Sequence, residues 1–265
     1  ESKAKFHTVT PRVVLSWHPK DNLTVYGSYS QGFRSGFPQH SIVITTVPDF
    51  PPVEEDTLEN FEIGAKGNLL NNRMNFDAAL YYINWDDIQQ SVIVGIVAAP
   101  INGGSASGVG FDFGLNAKPT ENFQVGLTFS WNDLTVDDEV FSGGVLLFED
   151  GGRLASSPEY TAGLTADYSF SLGADGLRGQ FSGSVNYHSE LVARTIDAGT
   201  LLMGEGDEIL LSRLSFSIDS SSNWTATAYI DNAGNEDGAV QDLGLSTLKT
   251  RIRPRTVGLQ FEYRY

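Results

Sequence analysis

The sequence offers few residues whose types and spacing could support catalysis. It contains no cysteine in 265 residues, which excludes thiol catalysis, thiolate metal sites and disulfides. No nucleophile elbow, phosphate loop or zinc-protease motif occurs, and the four histidines show no metal-ligand spacing: His7, His18, His40 and His188. We therefore expect no catalytic residues, no metal, no cofactor and no enzymatic activity.

Ligand binding has more support in the sequence than catalysis. Phe33 and Arg34 begin a long loop, and such loops commonly carry binding residues, although the pair could equally be an anchor that only shapes the loop. About half of the 33 acidic residues lie in four long loops, at 31–56, 137–156, 191–208 and 233–249. Their field could attract a cationic or metal-bearing ligand. Solvation of the loops, or bridging by divalent ions, is the simpler interpretation.

The overall charge excludes one class of partner. The chain carries 33 acidic and 17 basic side chains, a formal charge of -16. Nucleic-acid binding is disfavoured because phosphates would meet a surface of like charge. Although 40% of the residues are hydrophobic, no apolar run approaches the roughly 18 residues of a membrane-spanning helix.

The elements that must position these residues are β-strands. Apolar and polar residues alternate with a period of two, most clearly at 256–265, where Val257, Leu259, Phe261, Tyr263 and Tyr265 share one face. The same pattern predicts about eleven strands, most of them about nine to fourteen residues long, which exceeds the usual strand of about five or six. A tilted strand of about ten residues can cross a bilayer.

The connections favour a membrane barrel over a soluble sandwich. Short turns alternate strictly with long loops at about 31–56, 87–104, 137–156, 191–207 and 233–249. Outer-membrane barrels have tight periplasmic turns and long extracellular loops, whereas a soluble sandwich has no reason to sort its loops by length. The last strand would then run from outside to the periplasm, which leaves the C-terminus periplasmic.

Aromatic residues lie where the two membrane interfaces are expected. Trp17, Phe123 and Trp224 are beside short turns, and Tyr29 and Trp85 are towards the long-loop ends. Aromatic rings favour headgroup depth in a bilayer, so these five predict two interfacial bands. The alternative is that they are ordinary core aromatics of a β-sandwich.

Three arginines precede the last strand: Arg251, Arg253 and Arg255. If the period-two register continues above Pro254, they point outward and can pair with lipid phosphates. If Pro254 breaks the register, pairing with a ligand or with a loop is the alternative.

Several blocks of the sequence resemble the TonB-dependent outer-membrane receptors. These are VYGSYSQGFRSG at 25–36, ENFEIGAKG at 59–67, ALYYINWDDIQ at 79–89, AYIDN at 228–232, and the final strand from RPRT at 253–256 to the terminal aromatic. The resemblance covers nearly the whole chain. It implies an all-β, antiparallel transmembrane barrel of 22 strands, of which residues 1–265 supply about eleven as the C-terminal half.

The resemblance also implies a function and partners. Family members import scarce nutrients, most often ferric siderophores, through a plugged barrel that is energised by the inner-membrane TonB complex. The plug and the TonB box are absent from this sequence, so TonB would act through a missing N-terminal region. Other expected partners are lipopolysaccharide, membrane lipid, a small-molecule ligand and the barrel-assembly machinery, which would recognise Phe261, Tyr263 and Tyr265. A passive porin or structural barrel is the main rival.

Overall fold

The computed structural model describes residues 8–46, 50–94, 97–142, 144–173, 176–198, 200–245 and 249–265. In chain order, its elements are β1 (Arg12–Lys20), β2 (Leu23–Arg34), α1 (Ser41–Thr46), β3 (Asp56–Leu69), β4 (Met74–Asp86), β5 (Gln89–Val94), β6 (Val97–Asn102), β7 (Ala106–Thr120), β8 (Phe123–Val136), β9 (Val140–Ser142), β10 (Val145–Phe148), β11 (Tyr160–Ser171), β12 (Leu177–His188), β13 (Val192–Asp197), β14 (Thr200–Glu205), β15 (Ile209–Ser220), β16 (Trp224–Asp231), β17 (Ala239–Asp242), β18 (Lys249–Arg251) and β19 (Thr256–Tyr263). No helix among the described residues has the length and apolarity needed to span a membrane.

One large antiparallel sheet dominates the fold. Across the described residues it has eleven strands in the order β1-β2-β3-β4-β7-β8-β11-β12-β15-β16-β19. Consecutive long strands are neighbours, because each short turn brings the next strand back beside the previous one. The predicted eleven-strand, all-β architecture is confirmed.

The short turns have the backbone conformations that their residues favour. Between β3 and β4, Asn71 and Asn72 adopt left-handed φ values of 56° and 65°. Asparagine tolerates this region better than most residues because its side chain can hydrogen-bond locally. The turn therefore closes over a few residues and sets the register that pairs Leu69 with Met74.

One face of the sheet is apolar and exposed. Cross-strand pairs place Ile63 beside Leu80 and Phe181 beside Phe216. Leu80 is 51% exposed, Phe181 is 54% exposed and, on the last strand, Leu259 is 86% exposed. Apolar patches of this extent are rare on soluble monomers and mark surfaces that contact lipid or another protein.

The opposite face is polar, and its carboxylates have hydroxyl partners. Tyr26 donates to Glu62 at 2.7 Å, and Ser130 donates to Asp112 at 2.5 Å. Ser182 donates to Asp167 at 2.5 Å. This wall is polar and hydrogen-bonded, as expected for the inner side of a membrane barrel.

Three tyrosines of the polar face lie flat over glycines of a neighbouring strand. A Cβ atom at Gly64, Gly110 or Gly258 would lie 2.2 to 2.5 Å from the ring of its cross-strand partner. The three pairs are Tyr26 with Gly64, Tyr81 with Gly110, and Tyr229 with Gly258. Only glycine leaves room for an aromatic ring against the backbone here.

Candidate functional site

The described parts of the long connections fold together into a loop head. It is formed by the described residues within 35–55, 87–105, 137–159, 189–208 and 232–255. It has its own hydrophobic core, which contains Val43, Ile88, Val92, Leu147 and Phe148, each at most 1% exposed. Ala106, Leu134 and Val136 extend this core to the ends of β7 and β8, while apolar side chains along the rest of the described sheet, such as Leu80 and Phe181, are exposed. The loop head is therefore a packed structure at one end of the barrel wall.

A four-stranded sheet joins two of the loops. The hairpin β5–β6 pairs with the hairpin β13–β14 through parallel contacts of Ile93 with Thr195 and of Val94 with Ile196. Thr195 is fully buried, and its hydroxyl donates to the carbonyl of Leu243 in a third loop at 2.5 Å. Three loops that are distant in sequence therefore meet at Thr195.

We expect Thr195→Val to loosen the third loop without unfolding the sheet. Valine keeps the shape of threonine but leaves the Leu243 carbonyl without its donor, at a cost of about 1 to 3 kcal/mol. Hydrogen exchange at 239–245 should accelerate. The exposed Thr200→Val is the matched control, and equal exchange in both variants would contradict the assignment.

Asp56 ties the loop head to the sheet. It is 2% exposed. Its Oδ1 accepts from the Arg34 amide at 3.0 Å, and its Oδ2 accepts from Trp85 Nε1 at 3.1 Å and from the Gln89 amide at 3.0 Å. The Arg34 guanidinium completes the shell through Nε at 2.9 Å and through Nη2. Five donors from three segments converge on one carboxylate.

Gln89 extends this junction into two loops. Its side-chain amide donates to the carbonyls of Ser35 at 3.1 Å and Glu54 at 2.8 Å. Its own carbonyl accepts from Arg34 Nη2 at 3.0 Å. The junction thereby fixes where loops 35–55 and 87–105 leave the wall.

The structure does not bring Phe33 and Arg34 together. Phe33 lies opposite Thr57 on the apolar face and is 40% exposed, whereas Arg34 lies on the polar face opposite Asp56. The guanidinium of Arg34 is committed to Asp56 and stacks 4.7 Å from the Trp85 ring centroid. Arg34 therefore anchors the rim through Asp56, and ligand contact by Phe33 or by Arg34 stays a prediction.

Of the five predicted interfacial aromatics, four lie on the apolar face. Trp17 pairs with Val25 and Trp224 with Tyr263 at the short-turn end, where Phe123 pairs with Tyr168. Tyr29 lies near the long-loop end and contacts Phe61, with the ring centroids 5.0 Å apart.

Trp85 does not lie where the sequence predicted it. It pairs with Leu58 on the polar face and donates to the buried Asp56. The apolar row of β4 is Phe76, Ala78, Leu80 and Tyr82, so odd-numbered Trp85 points the other way. Its ring belongs to the Asp56 junction, and the expectation that it lies in an interfacial band is wrong.

Sequence reasoning missed other aromatics at the long-loop end. Trp131 pairs with Phe111 and with Tyr160 on the apolar face, and Tyr187 lies in the same row. The Tyr187 hydroxyl donates to Glu208 at 3.1 Å, so an apolar ring carries a polar tip at the rim. Strand parity was the available signal for all three.

The C-terminal aromatics follow the predicted alternation. Phe261 is 68% exposed and stacks on Trp224, with the ring centroids 6.1 Å apart. Tyr263 ends β19 and is 60% exposed, and Tyr265 lies just beyond the strand. Phe261 and Tyr263 are accessible on the apolar face, and the role of all three aromatics as an assembly signal stays a prediction.

Pro254 ends the register above the last strand. β18 finishes at Arg251, and β19 begins at Thr256, so the residues between them are not part of a strand. Arg251 Nη1 donates to the Asp237 carbonyl at 2.6 Å within the loop head. Of the two alternatives, the one in which Pro254 breaks the register describes the structure, because proline cannot donate to the ladder.

Two acidic side chains of the loops hold neighbouring backbone amides in place. Asp207 accepts from the Ala239 amide at 2.7 Å, and Asp242 accepts from the Gly244 amide at 2.9 Å. Hydrogen bonding from Lys249, and then from that amide, holds the pKa of Asp242 below its ordinary value. In the described part of the chain, no three acidic or histidine side chains form a group that could hold a metal ion.

Arg194 is a buried cation in the loop head. It is 2% exposed, its Nη2 donates to the Arg153 carbonyl at 2.9 Å, and its guanidinium lies 4.8 Å from the Phe148 ring centroid. Burial lowers the pKa of this guanidinium below its ordinary value, and the negative charge of Glu149 opposes the shift. Arginine remains charged even so, and here it joins loops 137–159 and 189–208.

A cavity of about 510 Å³ opens on the polar face below the loop head. Its walls come from β12, β15, β16 and the segment before β19, and its polar lining includes Asn186, Arg213, Tyr229, Asp231 and Arg253. Arg213 pairs with Asp231 at 2.9 Å and lies 4.9 Å from the Tyr229 ring centroid. The long-loop end of the wall therefore holds a ligand-sized cavity with two arginines.

Comparison with known proteins gives a consistent result. A family model described as TonB dependent receptor-like, beta-barrel matches residues 1–233. The chain is 24% identical to a probable TonB-dependent siderophore receptor, PiuA, of Acinetobacter baumannii. This match covers 60% of the chain and 22% of that receptor. The chain is also 30% identical to the ferric-pyoverdine 358 receptor of Pseudomonas putida. This match covers 44% of the chain and 14% of that receptor.

A solved structure shows the same fold. The ferric yersiniabactin uptake receptor FyuA from Yersinia pestis superposes with a TM-score of 0.72 at 16% identity, over 94% of this chain and 36% of that one. The chain thus spans about a third of that structure and less than a quarter of the curated relatives.

Proposed function

This chain belongs to the TonB-dependent receptor β-barrel family, and we propose on that basis that it forms the wall and ligand-facing loops of an outer-membrane transporter for ferric siderophores. One observation carries the proposal: an exposed apolar face and a hydrogen-bonded polar face share one eleven-stranded sheet beneath a packed loop head. Lipid covers the first face in a membrane, and the second lines a passage.

Residues 1–265 supply the C-terminal portion of the barrel in this proposal. Among the described residues, the outer edges of β1 and β19 pair with no other strand. Both strands run from the long-loop end to the short-turn end, so antiparallel closure needs an odd number of further strands between them. A second copy of this chain would contribute eleven strands, but its β1 and β19 would run parallel to the β19 and β1 that they would have to pair with. A separate segment of the same receptor, which begins and ends with strands of the opposite direction, satisfies the geometry.

The orientation and partners follow from the same arrangement. The loop head faces the outside of the cell, where it meets the ligand and lipopolysaccharide, and the short turns and the C-terminus face the periplasm. The barrel-assembly machinery recognises Phe261, Tyr263 and Tyr265 on the last strand. Energy comes from the TonB complex, which contacts a part of the receptor outside the described wall, and the steps are binding and passage with no bond made or broken.

Uptake tests this function. The receptor, expressed from its own gene in a host lacking other ferric receptors, should import radiolabelled iron from at least one of a ferric tris-catecholate, a ferric trihydroxamate, ferric citrate and a ferric pyoverdine. Import should stop when the TonB system is deleted. Import that persists without TonB would identify a passive barrel instead, and import of none of the four would overturn siderophore uptake.

A further inference from the structure

We infer that the cavity between Arg213 and Arg253 is a subsite for the anionic groups of the transported chelate. The inference rests on the proposed function and deepens it, because it names the charge class of the ligand. Its residues lie on strands β12, β15 and β16 and before β19, at the end of the polar wall beneath the loop head.

The first support is the fixed platform at the cavity wall. Tyr229 lies flat on Gly258, where a Cβ would come within 2.3 Å of the ring. Arg213 stacks over this ring and pairs with Asp231, yet its side chain is still 52% exposed. Its guanidinium is thus held in one place with donors left to offer, which is the preorganisation that anion recognition needs.

The second support is Arg253, whose backbone is held by a hydrogen bond while its guanidinium is unpaired among the described residues. The Arg253 carbonyl accepts from Asn232 Nδ2 at 2.9 Å, and the same amide donates to Glu236 at 2.7 Å. Asn232 is itself 7% exposed and receives the Glu236 amide at 2.8 Å. Within the described residues, the Arg253 guanidinium forms neither a hydrogen bond nor an ion pair.

The charge balance of the lining identifies the ligand class. The charged residues of the lining are two arginines, Arg213 and Arg253, and one aspartate, Asp231, and Tyr229 and Asn186 add neutral polar residues. This local excess of positive charge stands out in a chain of charge -16. Glu236 shares the Asn232 amide with Arg253 through its backbone carbonyl, and its carboxylate accepts from the amides of Asp237 and Gly238. Carboxylate and catecholate oxygens are the acceptors that guanidinium donors fit.

The test uses charge-matched probes with the intact receptor. The anionic probe is a ferric tris-catecholate, and the cationic probe is a ferric trihydroxamate that carries a protonated amine. Dissociation constants come from quenching of intrinsic tryptophan fluorescence, and uptake of radiolabelled iron is measured in parallel. Arg253→Gln should weaken anionic-probe binding about tenfold or more, and Arg253→Lys should restore most of it. Added salt should weaken binding to the wild-type receptor.

Arg178→Gln is the matched control, because Arg178 is an exposed arginine of the same polar face at the short-turn end. It should bind the anionic probe as the wild type does. If Arg253→Gln takes up the anionic probe as the wild type does, through TonB, the inference is overturned but the proposed function is not. The same holds if the wild type prefers the cationic probe. Absence of uptake of every ferric chelate would overturn the proposed function and this inference with it.

Discussion

Replacing Asp56 with alanine is expected to release the loop head from the wall while the eleven strands stay paired. The carboxylate is buried and accepts from Arg34, Trp85 and Gln89. Its removal leaves the donors of Trp85 and Gln89 unsatisfied in a site closed to water. Breaking a buried ion pair costs about 3 to 5 kcal/mol. Because Arg34 is half exposed and can turn outward to water, we expect the loss of loop-head stability to be about 3 kcal/mol.

Limited proteolysis of the membrane-embedded receptor measures this effect. Cleavage within 35–55 and 87–105 should accelerate by about a hundredfold. Protease cuts these loops when they open locally, and the free energy of that local opening falls by the energy lost at Asp56. The shift in electrophoretic mobility on heating, which reports an intact barrel, should remain. Glu55→Ala, at the exposed neighbouring position, is the control. Equal cleavage of both variants would show that Asp56 does not hold the loop head.

Arg34→Ala provides an independent check on the same junction. It leaves the Asp56 charge buried with only neutral donors, namely Trp85, the Gln89 amide and the backbone amide at position 34. An unpaired buried charge is costly, so this variant should be at least as open to protease as Asp56→Ala. Protection equal to that of the wild type would mean that the ion pair contributes little.

Replacing Gly110 with alanine should impair barrel folding through a clash with Tyr81. The new methyl group would lie 2.2 Å from the ring, which must then leave its place on the neighbouring strand. Overpacking of this kind costs about 1 to 3 kcal/mol. The yield of heat-modifiable barrel and its urea midpoint should both fall.

A second substitution should reverse this defect. Tyr81→Ala removes the ring, so the double variant should recover more stability than the sum of the single effects predicts. Gly27→Ala is the matched control, because the nearest atom to its new methyl group would be the Glu62 carbonyl oxygen at 3.9 Å. A double variant as unstable as the sum of its parts would show that Gly110 acts without Tyr81.

Much of the wall could be predicted from the sequence. Alternation along each strand is a local property with a period of two, and short turns force consecutive strands to become neighbours. These two facts define the apolar and polar faces, the eleven strands and the accessible aromatic row that ends in Phe261 and Tyr263. Parity within β4 also separates Trp85 from Leu80, because odd-numbered and even-numbered residues of a strand point to opposite faces.

The loop head was decided by the tertiary structure. Asp56 meets Trp85 and Gln89 across 29 and 33 residues of sequence, and Thr195 meets Leu243 across 48. Such contacts have no periodicity, because they depend on how separate loops pack after the strands have fixed their ends. The cavity with Arg213 and Arg253 arises in the same way. The sequence by itself determined which residues share the apolar face and which share the polar face, because alternation is local, and only the folded loops decided which polar side chains anchor the loops to the wall.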